Sequence, residues 1–439
     1  MSIFKKIILF LGDIIILYAS LVLMIIFRYK PTDFTYQFQT HFLPFSLIFI
    51  IWLVIFYLAD LYRQQSLQKP EIILKGLITA VVINGIISTI VFYLFGTTIF
   101  QLTPKTNLLI FGVIFLAFDF LFRNALRKTF TLKALDTVII GDSKLINETI
   151  NYLKENPQTG YRIIKKFNKF SPEVFENILK EIELGGIQNI VIHPHFSQQT
   201  RNAHLLYQLL SKKVNIVNFW NFYETIFEKI PLEELPESWF IENIKIHTVF
   251  YDTAKRLLDI LLALICLMIF FAPAIVIALF IKLTSKGPII YKQKRIGKNG
   301  KVFTLYKFRT MYSNVNGPYW TTTDDKRITP FGKILRFTHL DEIPQLLNII
   351  YGDISFIGPR PERVELAEKY RQFPHYEIRH IIKPGLTGWA QINYRPSASY
   401  QEAFEKLCYD IYYVKNRSIF LDIMIILKTI RYLFTAYNK

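Results

Sequence analysis

Hydrophobic and polar positions divide the 439-residue chain into three regimes. Four apolar runs come first, at about 7–27, 43–61, 73–94 and 108–122, each close to the ~20 residues a helix needs to cross a bilayer. The first has no small-residue cleavage site and is followed by three more runs, so it is expected to remain as a membrane segment and not to act as a cleavable leader. After Lys133 short apolar runs alternate with amphipathic stretches. The segments 137–140, 189–192 and 214–217 read as strands, and 173–182 and 200–211 as helices. This βαβ series predicts a parallel sheet with covering helices. The third regime opens with the apolar run 257–283, interrupted by Pro273. A central proline removes a helix hydrogen bond, so the pattern predicts helix–break–helix. The run 419–437 mixes apolar residues with Lys428 and Arg431 and predicts an interfacial amphipathic helix.

Charge orients these elements. Lys+Arg 52 against Asp+Glu 34 leaves +18, a balance suited to anionic membrane or phosphorylated ligands. Lys5 and Lys6, then Arg63, Lys69 and Lys75, then Arg123, Arg127, Lys128 and Lys133 flank the first four runs. The loops 28–42 and 95–107 carry fewer, which puts both ends of the bundle in the cytoplasm. Cations flank both ends of 257–283: Lys255 and Arg256 before it, Lys282, Lys286, Lys292, Lys294 and Arg295 after it. A crossing helix shows asymmetry, so this run reads as dipping into one leaflet and returning. Asp13 and Asp119 lie inside apolar runs, where a carboxylate hints at function or reaches for the interface. Cys266 and Cys408 have neither metal-ligand spacing nor a disulfide framework.

The middle region has one glycine in its first turn, Gly141-Asp142-Ser143-Lys144-Leu145-Ile146. A dinucleotide site needs a glycine-rich turn, and Asp142 repels phosphate, so a packing, dimerising or regulatory module fits better. The segment 231–240 reads as a linker.

Candidate chemistry gathers around Leu340-Asp341-Glu342-Ile343-Pro344-Gln345. Pro344 belongs in a first helical turn, so a helix is expected to start near Asp341. Ile343, Leu346, Leu347 and Ile350 would form its buried face. The helix dipole would then favour both carboxylates in ionised form. The bland alternative is an acidic helix start that satisfies free N–H groups. Around it stand Arg295-Ile296-Gly297-Lys298-Asn299-Gly300, Lys307-Phe308-Arg309-Thr310-Met311, Asp325-Lys326-Arg327, Gly358-Pro359-Arg360-Pro361-Glu362, Arg379, Lys383 and Pro384-Gly385-Leu386-Thr387-Gly388. Singly, each reads equally as a turn or a lipid-facing charge.

In this order the motifs resemble the bacterial sugar transferase family, from about Lys255 to the chain end; Lys-Phe-Arg-Thr-Met, Leu-Asp-Glu-Ile-Pro-Gln, Gly-Pro-Arg-Pro and Pro-Gly-Leu-Thr-Gly-Trp-Ala-Gln carry the likeness. The resemblance implies the family's large form: a four-helix transmembrane bundle (1–128), a Rossmann-like α/β domain plus linker (129–250), and a mainly α monotopic catalytic domain with a re-entrant helix (251–439). It implies transfer of a sugar-1-phosphate from a nucleotide diphosphate sugar to undecaprenyl phosphate, with release of a nucleoside monophosphate, to start exopolysaccharide, O-antigen or capsule synthesis. Asp341 maps to the nucleophile, Glu342 to the residue linked to Mg²⁺, Lys307 and Arg360 to the catalytic cations; Asp341 is a second candidate metal ligand. A carboxylate attacks a pyrophosphate only when its charge is neutralised, by a metal or by Lys and Arg. Arg360, fixed between two prolines, can offer phosphate a planar donor fork or pair with Glu362. Arg295, Arg309, Arg327 and Arg379 are candidate substrate cations, and Asp410 and Tyr413 follow a family motif Asp-x-x-Tyr-x-x-Asn that ends at Asn416. Asp325 is a possible metal or base contact or, beside Asp324, simply solvated.

One departure is His339, where the family commonly has a small residue; it bears on donor preference. The implied setting is the bacterial inner membrane, multi-pass, with catalysis on the cytoplasmic face. The implied partners are the nucleotide-sugar donor, undecaprenyl phosphate, membrane lipid, downstream glycosyltransferases and a second copy of the chain, with no nucleic acid. Two rivals remain. A nucleotide-sugar-modifying enzyme would need a glycine-rich turn in the middle domain, and a non-catalytic membrane scaffold would tolerate loss of Asp341.

Overall fold

The computed structural model of the chain describes residues 3–59, 61–62, 67, 70–95, 104–131, 134–197, 200–212, 214–244, 249–312, 325, 327–394 and 399–435; Arg63, Lys69, Lys133, Asp324 and Lys326 lie outside them. The fold is mostly helical, with a small parallel sheet, and divides into two units, Met1–Phe222 and Tyr223–Lys439.

In the first unit the early apolar runs form helices α1 (Ile3–Arg28), α2 (Phe34–Leu58), α3 (Pro70–Phe95) and α4 (Pro104–Thr131). All four carry stretches long and apolar enough to cross a membrane. Their shared interior is aromatic: Trp52 meets Phe111 edge-on at 5.1 Å and donates its indole N–H to Ser88 Oγ at 2.9 Å. Large apolar side chains such as Ile15, Ile50, Ile86 and Val113 also cover the outside. A helix bundle that is apolar inside and out suits a lipid solvent. Asp13 and Asp119 do not reach an interface. Both are fully buried on Arg123, which donates to Asp13 from Nη2 (2.8 Å), to Asp119 from Nε (2.7 Å) and to the Leu61 carbonyl from Nη1 (2.8 Å). Arg123 is therefore a buried partner and not one of the flanking cations.

The sheet comprises β1 (Leu135–Ile140), β2 (Tyr161–Phe167), β3 (Asn189–Ile192) and β4 (Asn215–Asn218), all parallel, in the order β2-β1-β3-β4. Helices α5 (Lys144–Glu155), α6 (Pro172–Glu183), α7 (Pro194–Ser197) and α8 (Thr200–Gln208) alternate with the strands. The alternation gave three strands; β2 escaped it because this edge strand is half polar, with Arg162, Lys165 and Lys166 along it. Gly141 has φ +144°, and a β-carbon there would strike His193, so this glycine serves strand packing. Asp142 is paired with Lys166 at 2.6 Å.

Helix α9 (Phe219–Phe227) straddles the division and α10 (Glu237–Asn243) follows it. The expected interruption at Pro273 is absent: α11 runs unbroken from Val249 to Thr284. A single proline withdraws one N–H from a helix of 36 residues, and the remaining ladder and flanking packing outweigh that loss. Midway along it, Ala263, Cys266 and Leu267 pack with Leu305, Leu346 and Ile349; near its end, Ile277 and Ile281 pack with Phe308 and Leu335. Beyond it come β5 (Ile290–Ile296) and β6 (Val302–Phe308) as an antiparallel hairpin, then α12 (Pro330–Phe337), α13 (Gln345–Tyr351), β7 (Ser355–Ile357) and α14 (Val364–Tyr370). Strand β8 (Gly385–Thr387) pairs parallel with β7, and α15 (Trp389–Asn393), α16 (Tyr400–Asn416) and α17 (Ile419–Thr435) complete the unit. Helix α17 buries Leu421 and Ile425 against Trp389 and Tyr413 and exposes Phe420 and Ile423.

Candidate active site

The Asp341-Glu342 turn lies between α12 and α13. Thr329 caps α12 by accepting the Gly332 N–H at 2.9 Å, and a β-carbon on Gly332 would strike the Thr310 carbonyl, so α12 lies tight against the end of β6. At the exit of α12, His339 takes a left-handed conformation, φ +55°, which reverses the chain. Leu340–Glu342 then form one 3₁₀ turn, closed by Glu342 N–H donating to the His339 carbonyl at 3.1 Å. The carboxylates thus precede α13, on a turn of their own, and do not sit in its first turn. Behind them Leu346 and Ile349 are buried, Ile343 and Ile350 half-buried, and Leu347 points outward, against the expected face. The short 3₁₀ turn shifts the helical phase by about one position.

Strand alternation supplies the cation. Phe303 and Leu305 face α13, and Lys307, two residues on, shares their side. Its Nζ lies 2.6 Å from Glu342 Oε1, and Arg360 Nη2 reaches the same oxygen at 3.4 Å. Arg360 therefore pairs with Glu342 and not with Glu362. Burial alone would raise the Glu342 carboxyl, but the Lys307 and Arg360 charges outweigh it and hold its pKa down at about 2. Burial pulls the Lys307 ammonium below its usual value, against the opposing charge of Glu342. Asp341 behaves differently. Only 8% exposed, it accepts no hydrogen bond among the described residues, and burial raises its pKa despite Lys307. Expected ionisation by a helix dipole fails for Asp341, because no helix starts there and desolvation dominates.

Arg336 also belongs to the site and the motifs did not reveal it. It is half-buried on α12, donates Nε to Thr310 Oγ1 at 2.9 Å, and its charge favours the ionised Asp341. Its signal in the sequence is faint: one basic residue in an amphipathic helix, five before Asp341.

Among the described residues no third His, Cys, Asp or Glu joins the carboxylates in a metal-holding group. Two adjacent carboxylates still fit Mg²⁺, which takes one or two of them and completes its shell with substrate phosphates and water. Lys307 and Arg360 both take Glu342 Oε1, which leaves Oε2 open to such an ion.

Residues 250–436 match the family described as bacterial sugar transferase. An exopolysaccharide production protein of Rhizobium leguminosarum bv. phaseoli is 40% identical over 40% of this chain and 92% of its own. The chain belongs to the bacterial sugar transferase family. It is also 37% identical to a UDP-N-acetylgalactosamine-undecaprenyl-phosphate N-acetylgalactosaminephosphotransferase of Aeromonas hydrophila, over 49% of this chain and 51% of that one. A UDP-glucose:undecaprenyl-phosphate glucose-1-phosphate transferase of Escherichia coli K12 is 31% identical over 66% of each chain. The alignments thus span about half to two thirds of these two relatives.

In this member of the family the Gly-Pro-Arg-Pro and Pro-Gly-Leu-Thr-Gly motifs form one platform. Gly358 N–H donates to the Thr387 carbonyl and Gly385 N–H to the Pro359 carbonyl, both at 2.9 Å. A β-carbon on Gly358, Gly385 or Gly388 would collide with the facing backbone. The platform carries Arg360, and two other candidate substrate cations brace it from behind. Arg379 donates to the Arg360 carbonyl at 2.9 Å and to Asp410 at 2.8 Å; Arg295 donates to the Pro361 carbonyl at 2.9 Å. Burial and the neighbouring Arg360 lower the Arg295 pKa to about 10. Burial pushes Asp410 up to about 6 against the pull of Arg379.

The remaining candidates are engaged outside the Asp341 turn. Arg309 donates to the Ser285 and Lys286 carbonyls at the end of α11, at 2.7 and 3.0 Å. Arg327 pairs with Asp325 at 2.6 Å. Tyr413 donates to Asp422 at 2.7 Å inside the α16–α17 core, and Asn416 donates to Glu224 at 2.7 Å. Each residue of their sequence motif thus has a partner within the chain.

Proposed function

We propose that the protein transfers a sugar-1-phosphate from a nucleotide diphosphate sugar, a UDP-hexose by analogy with its relatives, to undecaprenyl phosphate. The observation that carries this reading is the division of labour in one turn: Glu342 is locked between two cations while Asp341 beside it is buried and unbonded. A desolvated carboxylate without hydrogen bonds is a better nucleophile than a solvated one, provided nearby cations keep it ionised. Lys307 and Arg336 supply that charge.

An Asp341 oxygen attacks the sugar-proximal phosphorus, and the bond from that phosphorus to the bridging oxygen breaks. Nucleoside monophosphate leaves with the electron pair, and an acyl phosphate remains on Asp341. A phosphate oxygen of undecaprenyl phosphate then attacks the same phosphorus and returns Asp341 as a carboxylate. Arg360 and Lys307 face the developing negative charge. Mg²⁺, held by Glu342 and Asp341 with the donor phosphates, would add Lewis-acid stabilisation.

The lipid acceptor places this chemistry at the headgroup plane. The stretches of α11 on either side of Pro273, at Ala263–Leu267 and at Ile277–Ile281, both pack on β6 and its neighbours within one unit. That favours a bend at Pro273 within the continuous helix, with entry and return on one face, over a crossing, and leaves α1–α4 as the spanning part. The small parallel sheet reads as a Rossmann-like module. With this topology the site lies on the cytoplasmic side of the bacterial inner membrane, where nucleotide sugars are made. The pathway would be the first membrane step of exopolysaccharide, O-antigen or capsule synthesis.

The test is release of uridine monophosphate from a panel of UDP-sugars by the full chain in nanodiscs, with and without undecaprenyl phosphate. Sustained release only with the lipid supports the transferase. No release with any donor would leave the scaffold reading.

A further inference from the structure

Strand β6 pairs with β5 along one edge and leaves its other edge open. An open edge presents N–H and C=O groups that need partners. On this edge Tyr306 N–H donates to Asn348 Oδ1 at 3.1 Å, and Asn348 Nδ2 donates to the Thr304 carbonyl at 2.8 Å. The carboxamide of one side chain thus occupies the place of a peptide group from a missing third strand. The same Nδ2 donates to Asp353 Oδ2 at 3.0 Å, so both amide hydrogens are used and the amide orientation is fixed. Asn348 is fully buried in α13, six residues after Glu342, and Tyr306 is adjacent to Lys307. A carboxamide that accepts from residue 306 and donates to residue 304 can do so in only one register. That register sets which side chain of β6 meets the reactive turn.

The geometry points to Asn348 as the positioning residue that holds Lys307 against Glu342. It touches neither reacting atom; it acts by fixing the strand that delivers the ammonium. The inference rests on the transferase reading for its kinetic consequence, though not for the clamp itself. Asn348→Ala removes both edge bonds. Asn348→Asp keeps an acceptor for Tyr306 but sets a carboxylate oxygen against the Thr304 carbonyl and the Asp353 carboxylate. Adding Asp353→Asn relieves the second clash.

Two measurements on the full chain in nanodiscs test this. Hydrogen exchange over residues 302–308 should rise about tenfold in Asn348→Ala at the Tyr306 amide, with α1–α4 unchanged. Unchanged exchange there overturns the clamp whatever the protein's activity. A kinetic cycle then compares Asn348→Ala, Lys307→Ala and the double variant. Asn348→Ala alone should slow turnover about 10- to 100-fold, the usual range for a residue supporting a reactive one. In the Lys307→Ala background it should add less than about threefold, because the two act as one unit. Full additivity would mean that Asn348 matters only for folding and would overturn the positioning role. Asn348→Asp should be slower than Asn348→Ala and should recover in part with Asp353→Asn; equal rates in all three would count against it. A wild type that turns over no donor would sink the transferase reading, and the exchange measurement would still decide the clamp.

Discussion

The molecule buries charge in two places to different ends. In the bundle, Arg123 is 1% exposed and divides Nε, Nη1 and Nη2 among Asp119, the Leu61 carbonyl and Asp13. At the turn after α12, Lys307 and Arg360 converge on one oxygen of Glu342 and leave Asp341 without a bonded partner. Both clusters join cations to two carboxylates. In the first the guanidinium is used up in tying α1 to α4 and to the Leu61 carbonyl. In the second a carboxylate is held in reserve and Arg360 remains partly open to solvent. Buried charge alone therefore does not single out the candidate site; the proposed reading rests on the unspent group.

Substitutions can break this comparison, the strongest first. Asp341→Asn should lower turnover by about 10³-fold or more with little change in stability, since it deletes a nucleophile that bonds to nothing. Arg123→Leu should do the reverse. It leaves two carboxylates buried without their cation, a loss of about 3–5 kcal/mol, read as a lower melting temperature, while the folded fraction keeps its turnover. Lys307→Met should cost about 10²-fold in turnover, the size expected for a lost charge stabiliser.

A smaller effect concerns pH. As the proposed nucleophile Asp341 has to be ionised, and its pKa is raised above 3.8, so the acid limb of the rate profile should lie above the ordinary aspartate value. Lys307 lowers the Asp341 pKa and Glu342 raises it. Residual turnover of Lys307→Met should thus fall off at higher pH than wild type, and that of Glu342→Gln at lower pH. Shifts of the same sign in both variants would contradict the electrostatic account. Smallest of all, Arg309→Lys should change the melting temperature more than the rate, because that guanidinium holds the end of α11.

Much of this was legible in the chain. The early apolar runs became helices because about 20 consecutive apolar residues admit little else. The motifs around Asp341 named the four residues that do meet: Asp341, Glu342, Lys307 and Arg360. What escaped was set by tertiary context. The left-handed turn at His339 cannot be read from residue type, because the conformation is uncommon even for the side chains that tolerate it best. The pairing of Arg123 with Asp13 spans 110 positions, and spacing gave it only as a flanking charge. Arg379, Asp410 and Tyr413 carry the residue types of a ligand site, yet their hydrogen bonds run to one another, to the Arg360 carbonyl and to Asp422. Pro273 looked like a break because local rules see one missing hydrogen bond and not the packing on either side of it.

The most direct test of the central claim is the intact mass of the full chain after incubation with UDP-sugars and Mg²⁺, without lipid acceptor. A sugar-phosphate adduct on the wild type, lost in Asp341→Asn and discharged by undecaprenyl phosphate, is the predicted result. Lipid-dependent turnover without any adduct, or an adduct that survives in Asp341→Asn, would contradict Asp341 as the group held in reserve.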